Sequence, residues 1–241
     1  ILRVRADGEV CLLVQQGARR PALFIASAFA LILVLLGLLR AGRLAGTPLD
    51  ALTGLATPLY VGATILAGLL LIRRGAPFRR FGFDHPFRPG FHLALALAAI
   101  VAVQLLAAIL EPVWASLFGG GRDLGRFADV PGSPGALARL LALSWTVAAF
   151  GEEIAFRIVL MGGLAWALGG TRSAWVAALL VQAVVFGLVH LYQGPAGVAG
   201  TMVNGLVYGT AVYAARGSVW PAVLAHGGVN TIGILTLYAG G

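Results

Sequence analysis

Residues 21–39, PALFIASAFALILVLLGLL, run for nineteen positions without one charged side chain. A helix needs about 20 mostly apolar residues to cross the hydrocarbon of a bilayer, so this stretch alone reads as a membrane span. It is as long as a full crossing and lacks a small-residue cleavage site, which separates it from a signal peptide. Six further apolar runs lie near 52–72, 91–118, 150–168, 173–191, 196–215 and 218–239. The expected fold is all-α, a polytopic transmembrane helix bundle of about seven spans. The count becomes eight if residues 136–149 (ALARLLALSWTVAA) cross separately instead of lying at the interface or extending the fourth span. Residues 1–135 then form an N-terminal region of three spans with Arg-rich loops, and 136–241 a region of four.

Composition agrees. Hydrophobic residues make up 59% of the chain, charged residues 11%, and mean hydropathy is +0.92, whereas a soluble domain carries roughly a quarter charged residues. Lipid is the main solvent, and the protein is expected to be a multi-pass integral membrane protein, in the inner membrane if the source is bacterial. All 17 basic residues are Arg, and the net charge is +8. These arginines sit between apolar runs, a pattern that fits membrane lipid headgroups and topology and not nucleic acid. Arg3, Arg5, Arg19 and Arg20 precede the first span and Arg73, Arg74, Arg79, Arg80 and Arg88 follow the second, against Arg40 and Arg43 between them. Arg122 and Arg126, after the third span, are balanced by Asp123 and Asp129. The positive-inside rule therefore puts the N-terminus in the cytoplasm. One cysteine, Cys11, excludes an internal disulfide or a cysteine-based zinc site. Gly205-x-x-x-Gly209 is a spacing that lets membrane helices approach closely.

Beyond residue 130 the only acidic residues are Glu152 and Glu153, in AAFGEEIAFRIVL. Carboxylates at membrane depth cost several kcal/mol and mark a function or a tight structural pair. Neighbours on a helix point about 100° apart, so the two divide their roles. Glu153 and Arg157 are four apart with the acid first, the favourable order for an ion pair. Glu152 has no local cation and suits a general base. His190 and His226 also fall in late spans, while His85 and His92 flank the Arg-rich loop and read as interface residues. Glu152 and His190 each stand 19 residues from a turn centred on Thr171, which in a helical hairpin puts both about 28 Å from it. His226 and Asn230, four apart, share a helix face.

Glu152-Glu153-x-x-x-Arg157, Phe186-x-x-x-His190 and His226-x-x-x-Asn230, in that order on successive late spans, resemble the signature of the CPBP family (Abi). That family holds the type II CAAX-prenyl endoproteases (Rce1-like) and bacteriocin-processing or self-immunity proteins, and the resemblance covers about residues 137–235. It implies a membrane-embedded hydrolase, a protease acting on a membrane-associated or lipidated peptide or protein. Within it, Glu152 and His190 activate the attacking water and His226 with Asn230 stabilise the oxyanion. Glu153, Arg157 and Phe186 support them. Two His and one Glu are also ligand types of a catalytic zinc, so Glu152, His190 and His226 form an alternative zinc site. The Rce1-like resemblance favours water activation with no metal or other cofactor. It also implies a site reached from the cytosol, whereas the arginine bias puts His190 towards the opposite side. Two competing classes use the same residues. One is a proton-coupled or cation transporter, the other a non-catalytic membrane immunity or scaffold protein.

Overall fold

A computed structural model describes residues 8–76, 82 and 88–240, with side chains from residue 17 onward. Arg3, Arg5, Arg79, Arg80, His85 and the side chain of Cys11 lie outside the described residues. The described chain is helical and contains no strand. Its main helices are α1 (Gly8–Arg40), α2 (Ala56–Arg73), α3 (Pro89–Phe118), α4 (Pro134–Leu143), α5 (Gly163–Ala167), α6 (Arg172–Leu188), α7 (Gly194–Ala214) and α8 (Trp220–Tyr238).

Between α4 and α5 the chain stays helical but changes pitch, with π-helical stretches at Ser144–Glu152 and Ile154–Gly162. Residues 134–167 are therefore helical throughout, and 136–149 runs without a break into the stretch expected as the fourth span. Pro134 occupies its first turn, where a missing N–H costs nothing, and the Ser133 hydroxyl accepts from the Ala136 amide.

Three helical stretches are long and apolar enough to cross a membrane, at Gly17–Arg40, Pro48–Arg73 and Pro89–Phe118. Arg172–Leu188 and Leu191–Ala214, bent by 56°, pass together as a fourth. By length and composition this is three to four crossings among the described residues, against the seven expected from sequence. The shortfall falls on the polar C-terminal half.

Large apolar side chains of α1, α2 and α3 point outward, among them Phe24, Ile65, Leu105 and Ile109, as lipid-facing surfaces should. The inward faces close on a core around Phe29, Leu33, Leu71, Phe156, Leu160, Met161 and Phe186. Glycine allows the tightest contacts. A Cβ on Gly209 would lie 2.4 Å from Leu179 and 2.8 Å from Gln182, and one on Gly205 3.1 Å from the Ala183 backbone. The Gly205–Gly209 stripe is thus the surface on which α7 meets α6. Gly37 likewise seats α1 against the Leu188–Val189 backbone, where a Cβ would come within 2.7 Å.

His92, expected at the interface, is 3% exposed. Its Nδ1 lies 2.9 Å from the Arg88 amide and caps the start of α3.

Candidate functional site

The two adjacent carboxylates stand where one π-helical stretch gives way to the next. Wider i→i+5 winding displaces backbone groups and recurs at functional sites. Here the Tyr60 hydroxyl of α2 donates to the Gly151 carbonyl at 3.4 Å. The winding aims Glu152 and Glu153 at different neighbours.

Glu153 is fully buried between an arginine and a histidine. Its Oε2 meets Arg157 Nε at 2.9 Å, as a charge contact without hydrogen-bond alignment, and its Oε1 meets His226 Nδ1 at 2.9 Å. The expected Glu153–Arg157 pair is present. The same carboxylate also reaches α8 and holds an imidazole. Arg157 is also fully buried. Its guanidinium lies 4.4 Å from the Phe186 ring, 5.6 Å from Tyr208 and 5.9 Å from Phe156, an aromatic cage that helps hold a desolvated cation.

Hydrogen-bond partners settle the inner nitrogen of each histidine. An ionised carboxylate only accepts, so His226 Nδ1 carries a proton and donates it to Glu153. His190 Nδ1 lies 2.8 Å from the Phe186 carbonyl and must likewise donate. In both rings Nε2 is left for other work, the arrangement in which a second group orients a functional imidazole. The rings pack on shared aromatics. Phe186 is 5.1 Å from His190 and 5.9 Å from His226, edge to face, and Tyr208 stacks on His226 at 5.0 Å.

His190 stands in the break between α6 and α7, after α6 has ended at Leu188. That break turns the residue inward, towards Glu152, His226 and Arg122, whose charges act on it. Glu152 Oε2 is buried with no hydrogen-bond partner, an unusual state for a carboxylate oxygen and one expected of a reactive group.

Glu152, His190, His226 and Asn230 all line one cavity of about 800 Å³. Phe186 and Tyr208 share its wall; Glu153 and Arg157 stand behind it. Apolar side chains including Leu106, Leu143, Val147 and Ile232 form its other sides, and Arg40, Arg122 and Arg126 also border it. Residues before 136 therefore build part of the cavity. Among the described residues no three His, Cys, Asp or Glu side chains are grouped to hold a metal ion. Glu152, His190 and His226, the alternative zinc set, do not form such a group.

Four contributors escaped sequence reading: Tyr208, Tyr192, Arg122 and Arg126. An aromatic in an apolar helix and an arginine in a loop carry no motif, so no local signal marks them. Gly227 belongs with them. A Cβ there would meet the Trp145 ring at 2.4–2.6 Å, so glycine lets α8 bring His226 against the stretch that carries Trp145.

Residues 134–232 match the family described as type II CAAX prenyl endopeptidase, Rce1-like. No curated protein and no solved structure matches the chain.

Proposed function

We propose, from the premise that residues 134–232 belong to the Rce1-like family of type II CAAX prenyl endopeptidases, that this chain hydrolyses a peptide bond of a membrane-associated or lipidated substrate inside the bilayer. The carrying observation is the meeting of Glu152, His190, His226 and Asn230 in one cavity.

Glu152 and His190 Nε2 take hydrogen bonds from a water, and Glu152 accepts its proton as the oxygen attacks the scissile carbonyl. The tetrahedral oxyanion receives hydrogen bonds from the Asn230 amide and from His226 Nε2. Donation from Nε2 needs a doubly protonated His226, because Nδ1–H is already given to Glu153. The carboxylate of Glu153, which it shares with Arg157, stabilises that charge. Collapse of the intermediate passes the proton held by Glu152 to the departing amine. Glu153 is a positioning residue here, and Phe186 and Arg157 fix the faces on which it and the imidazoles rest.

The helices below the crossing criterion are read as crossing too. The helical stretch 134–167, α6, α7 and α8, added to the three long helices, make seven. Length separates two of them from the long helices, since α6 has 17 residues and 134–167 is divided by its π-helical stretches, and their polar groups face the bundle interior as intramembrane polar groups should.

The test is cleavage of a membrane-anchored peptide by the full chain in liposomes, read by mass spectrometry. Glu152→Gln and His190→Ala should each lower turnover by about 10²–10⁴-fold and keep a cooperative melt in detergent. Chelator treatment should leave turnover unchanged. Full activity of either variant, or complete loss on chelation, overturns the scheme.

A further inference from the structure

We propose that a second, lateral pocket between α3 and α7 is a binding site for a phospholipid with a phosphoethanolamine headgroup, an inference that stands apart from the protease reading. The pocket holds about 380 Å³ and lies beside the catalytic cavity. Glu111, Trp114 and Arg122 border both, whereas Ala108, Pro112, Ala115 and Ala196 border this pocket alone.

Its position is that of a lipid. α3 is among the helices long and apolar enough to cross a membrane. Leu105, Ile109, Val113 and Leu117, spaced four apart, stand exposed along it as a ridge facing the hydrocarbon. Beside that ridge the small side chains of Ala108 and Ala115, with Ala196 of α7, leave a groove that an acyl chain can occupy. Trp114 stacks on Phe118 at 6.3 Å near the end of the helix, an aromatic pair of the kind found at headgroup level.

The polar groups of the pocket select the headgroup. Glu111 is the one acidic residue of α3, and a carboxylate on a lipid-facing helix is costly unless it is paired. Among the described residues its ion-pair partner is Arg122, reached only at 3.6 Å, and more than half of the Glu111 side chain is exposed. Arg122 is set in place from α7. Its Nη1 donates to the Gln193 side-chain oxygen at 3.1 Å, and its Nη2 lies over Gly200, where a Cβ would come within 2.6 Å. Pro112 has no N–H to give the Ala108 carbonyl one turn earlier. The Trp114 indole N–H has no hydrogen-bond partner. Two acceptors, the Glu111 carboxylate and the Ala108 carbonyl, thus stand beside two donors, the Arg122 guanidinium and the Trp114 indole. A zwitterion answers both. A primary ammonium brings three N–H donors to the acceptors, and a phosphate takes the guanidinium fork. An anionic headgroup would meet Glu111 unpaired, and a quaternary ammonium has no N–H to give.

The full chain in neutral detergent is offered equal amounts of dioleoyl phosphatidylethanolamine, phosphatidylglycerol and phosphatidylcholine, and retained lipid is read by native mass spectrometry. Phosphatidylethanolamine should be retained about ten-fold more than either of the others, the effect of one charge-assisted contact. Glu111→Gln should bring that ratio towards one. Ala115→Leu, which fills the groove without touching the charged pair, should abolish retention of phosphatidylethanolamine. The same lipid should raise the melting temperature of the unaltered chain and not that of the Ala115→Leu chain. Equal retention of the three lipids, or a preference for either of the other two, overturns the site. So does a phosphatidylethanolamine preference that neither substitution changes. Should Ala115→Leu fail to fold, Ala108→Leu, at an exposed position of the same groove, gives the same reading.

Discussion

Glu153→Gln separates the structural work of this carboxylate from its effect on the site. In the native chain it faces Arg157 and His226, each at 2.9 Å, with no exposure to solvent. Neutralising it strands the Arg157 guanidinium, which has only aromatic faces for company and no hydrogen-bond partner on either terminal nitrogen. Removing one partner of a buried ion pair typically costs about 3–5 kcal/mol, here discounted somewhat by the cage. In a chain of this size the melting temperature should fall on the order of 10 °C, measured by differential scanning in detergent. Turnover should fall at least about 10- to 100-fold, the loss usual when the group orienting a working imidazole is removed. The double variant Glu153→Leu with Arg157→Met decides between the two roles. Replacing both charges by apolar groups of similar volume should recover most of the stability, but His226 Nδ1 still lacks its acceptor and turnover should stay low. Recovery of turnover with stability would refute the positioning role. An unchanged melt for Glu153→Gln would refute the account of the ion pair.

Asn230→Ala should lower kcat by about two orders of magnitude with little change in the melt, because an oxyanion donor is worth ~3 kcal/mol and Asn230 lines a cavity instead of filling the core. KM-only behaviour would reassign it to substrate binding. Gly37→Ala should destabilise the bundle by about 1–3 kcal/mol, since its methyl would meet backbone atoms at 2.7 Å that cannot rotate away; a neutral melt would show that α1 can slide. Gly46→Cys, in a chain with Cys11→Ser, reports the side to which the α1–α2 loop faces. The arginine bias predicts labelling of intact cells by an impermeant maleimide, and labelling only after lysis would invert the topology.

Much of the site was readable because its components are local. Glu153 to Arg157 and His226 to Asn230 are each one helical turn, and helix geometry makes such neighbours near-certain. Glu152 and His190, expected at equal distances from a shared turn, border the same cavity, with His190 in a break and not on a continuous helix. The Glu153–His226 contact spans 73 residues, and no periodicity points to it. The burial of His92 at the start of α3 likewise leaves no local signal.

By itself the sequence determined the solvent, the helical class and the candidate residues, because hydropathy and i,i+4 spacing act within one helix. Tertiary structure alone decided which of them meet. It turned Glu153 from one half of an ion pair into the link between Arg157 and His226, packed Tyr208 and Phe186 against the imidazoles, and brought Arg40, Arg122 and Arg126 to the same cavity. Those contacts depend on how helices cross and where glycine lets them close, and pairwise packing of distant segments leaves no trace in local pattern.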